Sequence, residues 1–164
     1  MLDYRKNEII IVEGLKDYLS TELRPFELVR QNQIAQIPSY PYGSYTVTTP
    51  IHEQGGTFSR SNDGAYYRAA LQTWGITIQS DDQEEALSLA FRAYDYFRLA
   101  GVTYLADQGI TVRRVRDITA RDNLLTSQYE YRNGLDVTFG LLYVISTDNQ
   151  INTDEIETID IKEE

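Results

Sequence analysis

The sequence predicts an α+β fold: a single domain in which a mainly antiparallel β-sheet packs against one long and one shorter α-helix, with a long β-hairpin. Three observations carry this. Tyr129, Tyr131, Leu135, Val137, Phe139, Leu141, Tyr143 and Ile145 all fall on odd positions, and only Asn133 interrupts the apolar set. That is the two-residue period of a strand with one buried face, kept up well beyond the usual three to ten residues. Upstream, residues 81–100 show the 3.6-residue period of an amphipathic helix. Between residues 45 and 78, two segments rich in β-branched and aromatic residues flank a stretch rich in Gly, Ser, Asn and Asp, which reads as two strands joined by a long loop.

Composition narrows the function classes. A chain of 164 residues corresponds to about one domain. The net charge of −10 argues against general nucleic-acid affinity, which needs clustered Lys and Arg facing phosphates. There is no cysteine, so disulfides, thiolate metal sites and cysteine nucleophiles are excluded. No apolar run approaches the roughly 20 residues of a membrane span, and the charged N-terminal segment is unlike a signal peptide. Tyrosine is over-used, with thirteen against five Phe and one Trp. Such residues suit surfaces that are wet before assembly and buried after it, or they simply line strands, which tyrosine favours.

In chain order, Asn7 is a candidate cap for a helix over residues 8–20, with Ile9, Val12, Leu15 and Leu19 as its stripe. Pro25 closes that unit. Residues 26–30 form a short strand candidate and 34–37 a weaker one. Two prolines and a glycine in residues 38–43 fix an extended, turn-rich lead-in. Residues 45–49 are a strand that Pro50 ends at an edge or bulge. Residues 52–64 form a mobile connecting loop, and 66–78 the second strand. Its apolar phase slips between Leu71 and Trp74 beside Gly75, which suggests a bulge. Ser80 and Gln83 form a capping box, followed by acids at Asp81, Asp82, Glu84 and Glu85, where the helix dipole favours them. Ala86, Leu89, Ala90, Ala93, Phe97 and Ala100 are the stripe of that helix and Gly101 its stop. Residues 110–118 form the next strand. Asn133-Gly134 is also a strong hairpin signal, but a hairpin there would set Arg132 and Glu130 on the apolar face, so register favours one long strand over 129–145. The domain is placed at residues 1–147. Residues 148–164 form an acidic tail that reads as flexible, although Ile151, Ile156, Ile159 and Ile161 are able to dock on a partner.

Candidate sites are sparse. His52 is the only histidine and has no partner at triad or zinc spacing. The 81–85 carboxylates are accounted for as a helix N-terminus, and the glycines lack the strand-turn-helix setting and lysine of a phosphate loop. Arg113, Arg114 and Arg116 form a basic patch on an acidic chain. They either pair locally with Asp117 or the tail, or bridge to an acidic partner or a neighbouring copy. No catalytic, metal or cofactor site emerges.

The order of elements resembles phage tail terminator proteins, in particular the neck terminators of tailed phages and phage-tail-like particles. The segments that carry the likeness are Pro41-Tyr42-Gly43-Ser44-Tyr45, Trp74-Gly75-Ile76-Thr77-Ile78 before the Ser80-capped helix, and Tyr129 to Val137, within residues 5–146. The resemblance implies a non-enzymatic virion protein without cofactor. It implies a ring, most often hexameric, that caps the head-proximal end of the tail tube, ends its polymerisation and forms the docking face for the head. The partners implied are copies of itself, the tube protein, a sheath protein where one exists and a head-completion or connector protein, with DNA passing through without sequence-specific binding and no membrane contact. Candidate inter-subunit or partner contacts are Tyr42, Tyr45, His52, Phe58, Arg60, Arg113, Arg114, Arg116, Tyr131 and Arg132. Competing readings are another head-tail connector or baseplate protein, a small hydrolase, and a monomeric cellular binding module.

Overall fold

The computed structural model describes residues 4–32, 36–56, 58–62, 64–124 and 129–145. The elements run α1 (Tyr4–Leu19), β1 (Glu27–Arg30), β2 (Tyr42–Glu53), β3 (Ser59–Arg60), β4 (Tyr66–Ser80), α2 (Gln83–Asp95), a π turn (Tyr96–Ala100), α3 (Val102–Asp107), β5 (Thr111–Val115), β6 (Thr119–Ala120), β7 (Asn123–Leu124) and β8 (Tyr129–Ile145). They build one mixed sheet in the order β1-β2-β4-β8-β5, with β3 beside β4 and β6 and β7 beside β8. Only β1 joins in parallel, to β2. The helices cover one face of this sheet, and the core lies between.

β8 is a single strand of 17 residues. Asn133 pairs with Ile78 and Gly134 with Thr77 inside an unbroken antiparallel ladder from Tyr66↔Ile145 to Ser80↔Tyr131, so the Asn-Gly hairpin does not form. Leu135, Val137, Phe139 and Leu141 are buried, as alternation requires. β4 alternates just as cleanly. The expected slip near Gly75 is absent there, because Gln72 takes the inward position and Leu71 faces away. Gln72 is 1% exposed. It accepts from Trp74 Nε1 at 2.8 Å and donates to the carbonyl of Pro50 at 3.0 Å, which satisfies a polar group that is costly to bury unpaired. The irregularity sits on β2 instead, with register shifts between Val47 and Thr49 and between Thr49 and His52. Pro50 lies within it, and the strand continues to Glu53.

The helices depart further from expectation. α1 begins at Tyr4, so Asn7 is internal and caps nothing. Its buried face is Ile11, Leu15 and Leu19, while Ile9 is 53% exposed. The cap of α2 is Asp82, whose carboxylate accepts from the backbone N–H of Glu85 at 2.7 Å. Ser80 ends β4 and donates to Glu85 Oε2 at 2.7 Å. The long helix over 81–100 is broken: α2 ends at Asp95, the π turn follows, and Gly101 leads into α3. Ala86, Ala90, Ala93 and Phe97 are fully buried, but the wider turn carries Ala100 out to solvent. Gly101 is required by close approach and not by a left-handed stop, since a Cβ there would collide with the Tyr96 ring. The 110–118 strand is shorter than expected, ending at Val115 before the two-residue β6. Gln36 and Ile37 are not in a strand; Ile34 lies outside the described residues, as does the acidic tail.

Candidate assembly surface

The ten residues picked from the sequence fall into four places. Tyr45 belongs to the core. It is 6% exposed and stacks on Trp74 at 5.0 Å between ring centroids. Its hydroxyl donates to Glu8 Oε1 at 2.7 Å, tying α1 to β2. Burial first, and then this hydrogen bond, raise its pKa. Its ring has no free face for a neighbour.

Tyr42 and Arg132 meet around Glu130, which the sequence reading missed. Glu130 is 3% exposed. Tyr40 donates to Glu130 Oε1 at 2.9 Å, Tyr42 approaches the same oxygen at 3.4 Å, and Arg132 holds Oε2 through Nε at 2.6 Å. The carboxylate thus has a counterion and hydrogen bonds, as a buried charge must. Burial first, and then the hydrogen bond to Glu130, push Tyr40 up to about 12. This cluster clasps the Pro/Tyr lead-in, with its cis Tyr40–Pro41 bond, to the start of β8. Tyr131 lies close by and packs against Tyr129 at 5.7 Å between ring centroids.

His52, Phe58 and Arg60 lie on an arm formed where β2, β3, β4 and the end of β8 run past the helices. Its interior is a small cluster. The Arg68 guanidinium sits 4.3 Å from the centre of the Phe58 ring and pairs with Glu53, Phe58 meets Tyr143, and Arg60 lies over Tyr66. Within the expected 52–64 loop, His52 and Glu53 prolong β2, and Ser59 and Arg60 pair with β4 as β3; its other described residues lie outside strands. His52 is exposed opposite Leu71.

Arg113, Arg114 and Arg116 are exposed on and just beyond β5. A bulge between Val112 and Arg114 lets both Val112 and Val115 pack on the core, although their spacing of three would set them on opposite faces of a regular strand. The Arg113 stem lies against Gly140, where a Cβ would obstruct it. Among the described residues these three guanidinium groups have no ion pair, and in particular none with Asp117. Arg24, Arg30, Arg68, Arg121 and Arg132, by contrast, each face a carboxylate.

An apolar groove next to β5 also went unread in the sequence. Leu87 and Phe91, on the outer side of α2, are 39% and 54% exposed. With Tyr94 and Ile118 they line a groove of about 510 Å³. Their spacing of four on a helix was a usable signal. No group of three His, Cys, Asp or Glu among the described residues is placed to hold a metal ion, and no described helix is long and apolar enough to cross a membrane.

The family model described as Phage neck terminator protein matches residues 10–164. The chain belongs to that family. The match includes the acidic segment, beyond the point where the likeness read from the sequence ended. No curated protein matches the chain. Membership makes this neck terminator a structural protein of the phage tail that assembles with other tail or head proteins.

Proposed function

We propose that this neck terminator protein forms a homo-oligomeric ring, a hexamer, on the head-proximal end of the tail tube, where it ends tube growth and offers a docking face to the head. The observation that best supports this is the arm. β8 runs the full length of the sheet, and its last residues pair with β4 beyond the helices. A projecting β arm at one end and an open sheet edge at the other are two different faces of one subunit. Heterologous contacts that close by rotation need such a pair, and strand addition is one way to make them. The acidic composition suits a channel through which DNA slides without being held. On this reading the contact residues are His52, Phe58 and Arg60 on the arm, Arg113, Arg114 and Arg116 on β5, and Tyr131 and Arg132 at the start of β8. Tyr42 supports the last two from inside the Glu130 cluster.

The deciding experiment is a reconstruction of the assembled particle. The expected result is several copies around the tube axis at its head-proximal end. One copy per tail, or a position at the distal end, would overturn the reading.

A further inference from the structure

The sheet face turned away from the helices carries a shallow trough of about 200 Å³ between β5 and the end of β2. Its floor is Ala69 and Leu71 of β4 with Gly140 and Leu142 of β8, which pair as Leu71↔Gly140 and Ala69↔Leu142. These four share one face, because the alternating residues Ala70, Gln72, Phe139 and Leu141 are buried on the other. Leu142 is 54% exposed. Gln54 bounds the trough on one side and Arg113 on the other, its stem lying against Gly140. A small apolar floor beside a cation that has no counterion among the described residues suits an apolar side chain with a carboxylate next to it.

The opposite end of the subunit presents such a pair. Leu23 is 97% exposed, at the tip of a turn closed by two backbone bonds, Thr21 N–H to the Arg24 carbonyl at 3.0 Å and Arg24 N–H to the Thr21 carbonyl at 3.1 Å. Arg24 fixes the turn to Glu85 at 2.6 Å and to the Tyr40 carbonyl at 2.7 Å. Glu22 is exposed and has no ion pair among the described residues. Leu23, Ile37, Leu99 and Leu124 are the large apolar side chains more than two-thirds exposed among the described residues. Only Leu23 has a carboxylate as its chain neighbour, whereas Leu99 follows Arg98, a like charge to Arg113. We infer that Leu23 of one copy enters the trough of the next, with Glu22 set on Arg113. This rests on the ring proposed above and names one of its contacts. One copy cannot supply both halves. Glu85 accepts from Ser80 at 2.7 Å, so the turn stands by the end of β4, and Leu71 lies nine residues back along that strand, roughly 30 Å at about 3.3 Å per residue. Knob and trough are different patches, so each bound copy still offers one of them to a further copy, as a closing ring needs.

A carbodiimide couples a carboxylate to a lysine amine and not to a guanidinium. The chain's only lysines are Lys6, Lys16 and Lys162, so Arg113→Lys adds one reporter that keeps the charge. Assembled tails carrying full-length Arg113→Lys are treated with a water-soluble carbodiimide and digested for mass spectrometry. The inference expects an amide between Glu22 and the new amine at position 113, in a ladder of linked copies that runs past the dimer. The wild type and E22Q/R113K lack that link. Leu23→Asp lowers the share of tails carrying the protein by about tenfold, as loss of one buried leucine allows, while Leu99→Asp leaves it unchanged. Glu22→Arg and Arg113→Glu each lower it by about fivefold, and the two together recover most of it. Circular dichroism confirms that each variant is folded, and Leu23→Ala replaces Leu23→Asp if that one is not. In tails whose reconstruction shows a ring, absence of the link, a ladder that ends at the dimer, or indifference to the Leu23 change would each overturn this contact alone. One copy per tail would overturn the ring and the contact together.

Discussion

Tyr96 shows how tightly single residues are constrained here. A Cβ at Gly101 would run into its ring, and a Cβ at Gly14 of α1 would run into its hydroxyl and into the Tyr104 ring. The Tyr96 hydroxyl is buried without a hydrogen-bond partner among the described residues. Burial, followed by the nearby Tyr104 and Asp17, pushes its pKa up to about 12. Gly14→Ala should therefore destabilise the fold by more than about 1 kcal/mol, although alanine is the better helix former by about that amount. Tyr96→Phe should be neutral or stabilising, because it removes an unsatisfied group that costs about 1–3 kcal/mol to bury. Chemical denaturation of both singles and the double checks this, and additivity would show that the two residues do not share the space. Tyr40, Tyr45 and Tyr96 also share a direction of pKa shift, upward. Above pH 10 the unfolded chain loses phenolic protons that the folded chain keeps. Their contribution to stability is thus complete below about pH 10 and disappears as pH rises toward 12. Denaturant midpoints should be flat between pH 7 and 9 and fall steeply beyond 10, and Tyr45→Phe should flatten that fall.

At the scale of elements, α2 and the arm give contrasting predictions. Asp82→Ala removes the cap of α2 and should cost about 1 kcal/mol, whereas Ser80→Ala and Gln83→Ala test whether Ser80 acts only through Glu85. Gln83→Ala should leave stability unchanged within about 0.5 kcal/mol. Removing residues 55–61 from the arm leaves the core strands in place, so the shortened protein should stay folded yet fail to end tubes. Tails of normal length from that variant would reduce the arm to a connector. The sequence made some of this legible and hid the rest for physical reasons. β8 was readable because one buried face enforces a two-residue period over its whole length, and register excluded the Asn-Gly turn. Ala86, Ala90 and Ala93 were readable because small side chains let a helix lie close to a sheet. Gln72 misled because a buried amide looks like a phase error until Pro50 and Trp74 supply its partners. Glu130 looked like an exposed charge because Tyr40 and Tyr42, which bury it, come some 90 residues earlier. The β5 arginines were legible as a patch, but the bulge that puts Val112 and Val115 together under them was not.

At the scale of the whole molecule, net charge sets the conditions for assembly. Each subunit of the proposed ring carries −10, so bringing copies together works against their mutual repulsion, which extends over a Debye length of about 8 Å at physiological salt and about 30 Å at 0.01 M. The cations on β5 offset part of this locally, yet three arginines cannot neutralise a neighbour. Self-association should therefore strengthen as salt rises from about 0.01 M to 0.3 M, because screening the long-range repulsion outweighs weakening a few short-range pairs. R113E/R114E takes the net charge to −14. It should shift the salt needed for association upward while changing the thermal midpoint of the monomer little, since exposed ion pairs contribute about 0–1 kcal/mol each. Sedimentation velocity across a salt series, on the wild type and this variant, reads both effects. The opposite trend, association weakening steadily with salt and abolished by R113E/R114E at every concentration, would mean that specific ion pairs at β5 dominate the contact and that the overall charge of the subunit is secondary.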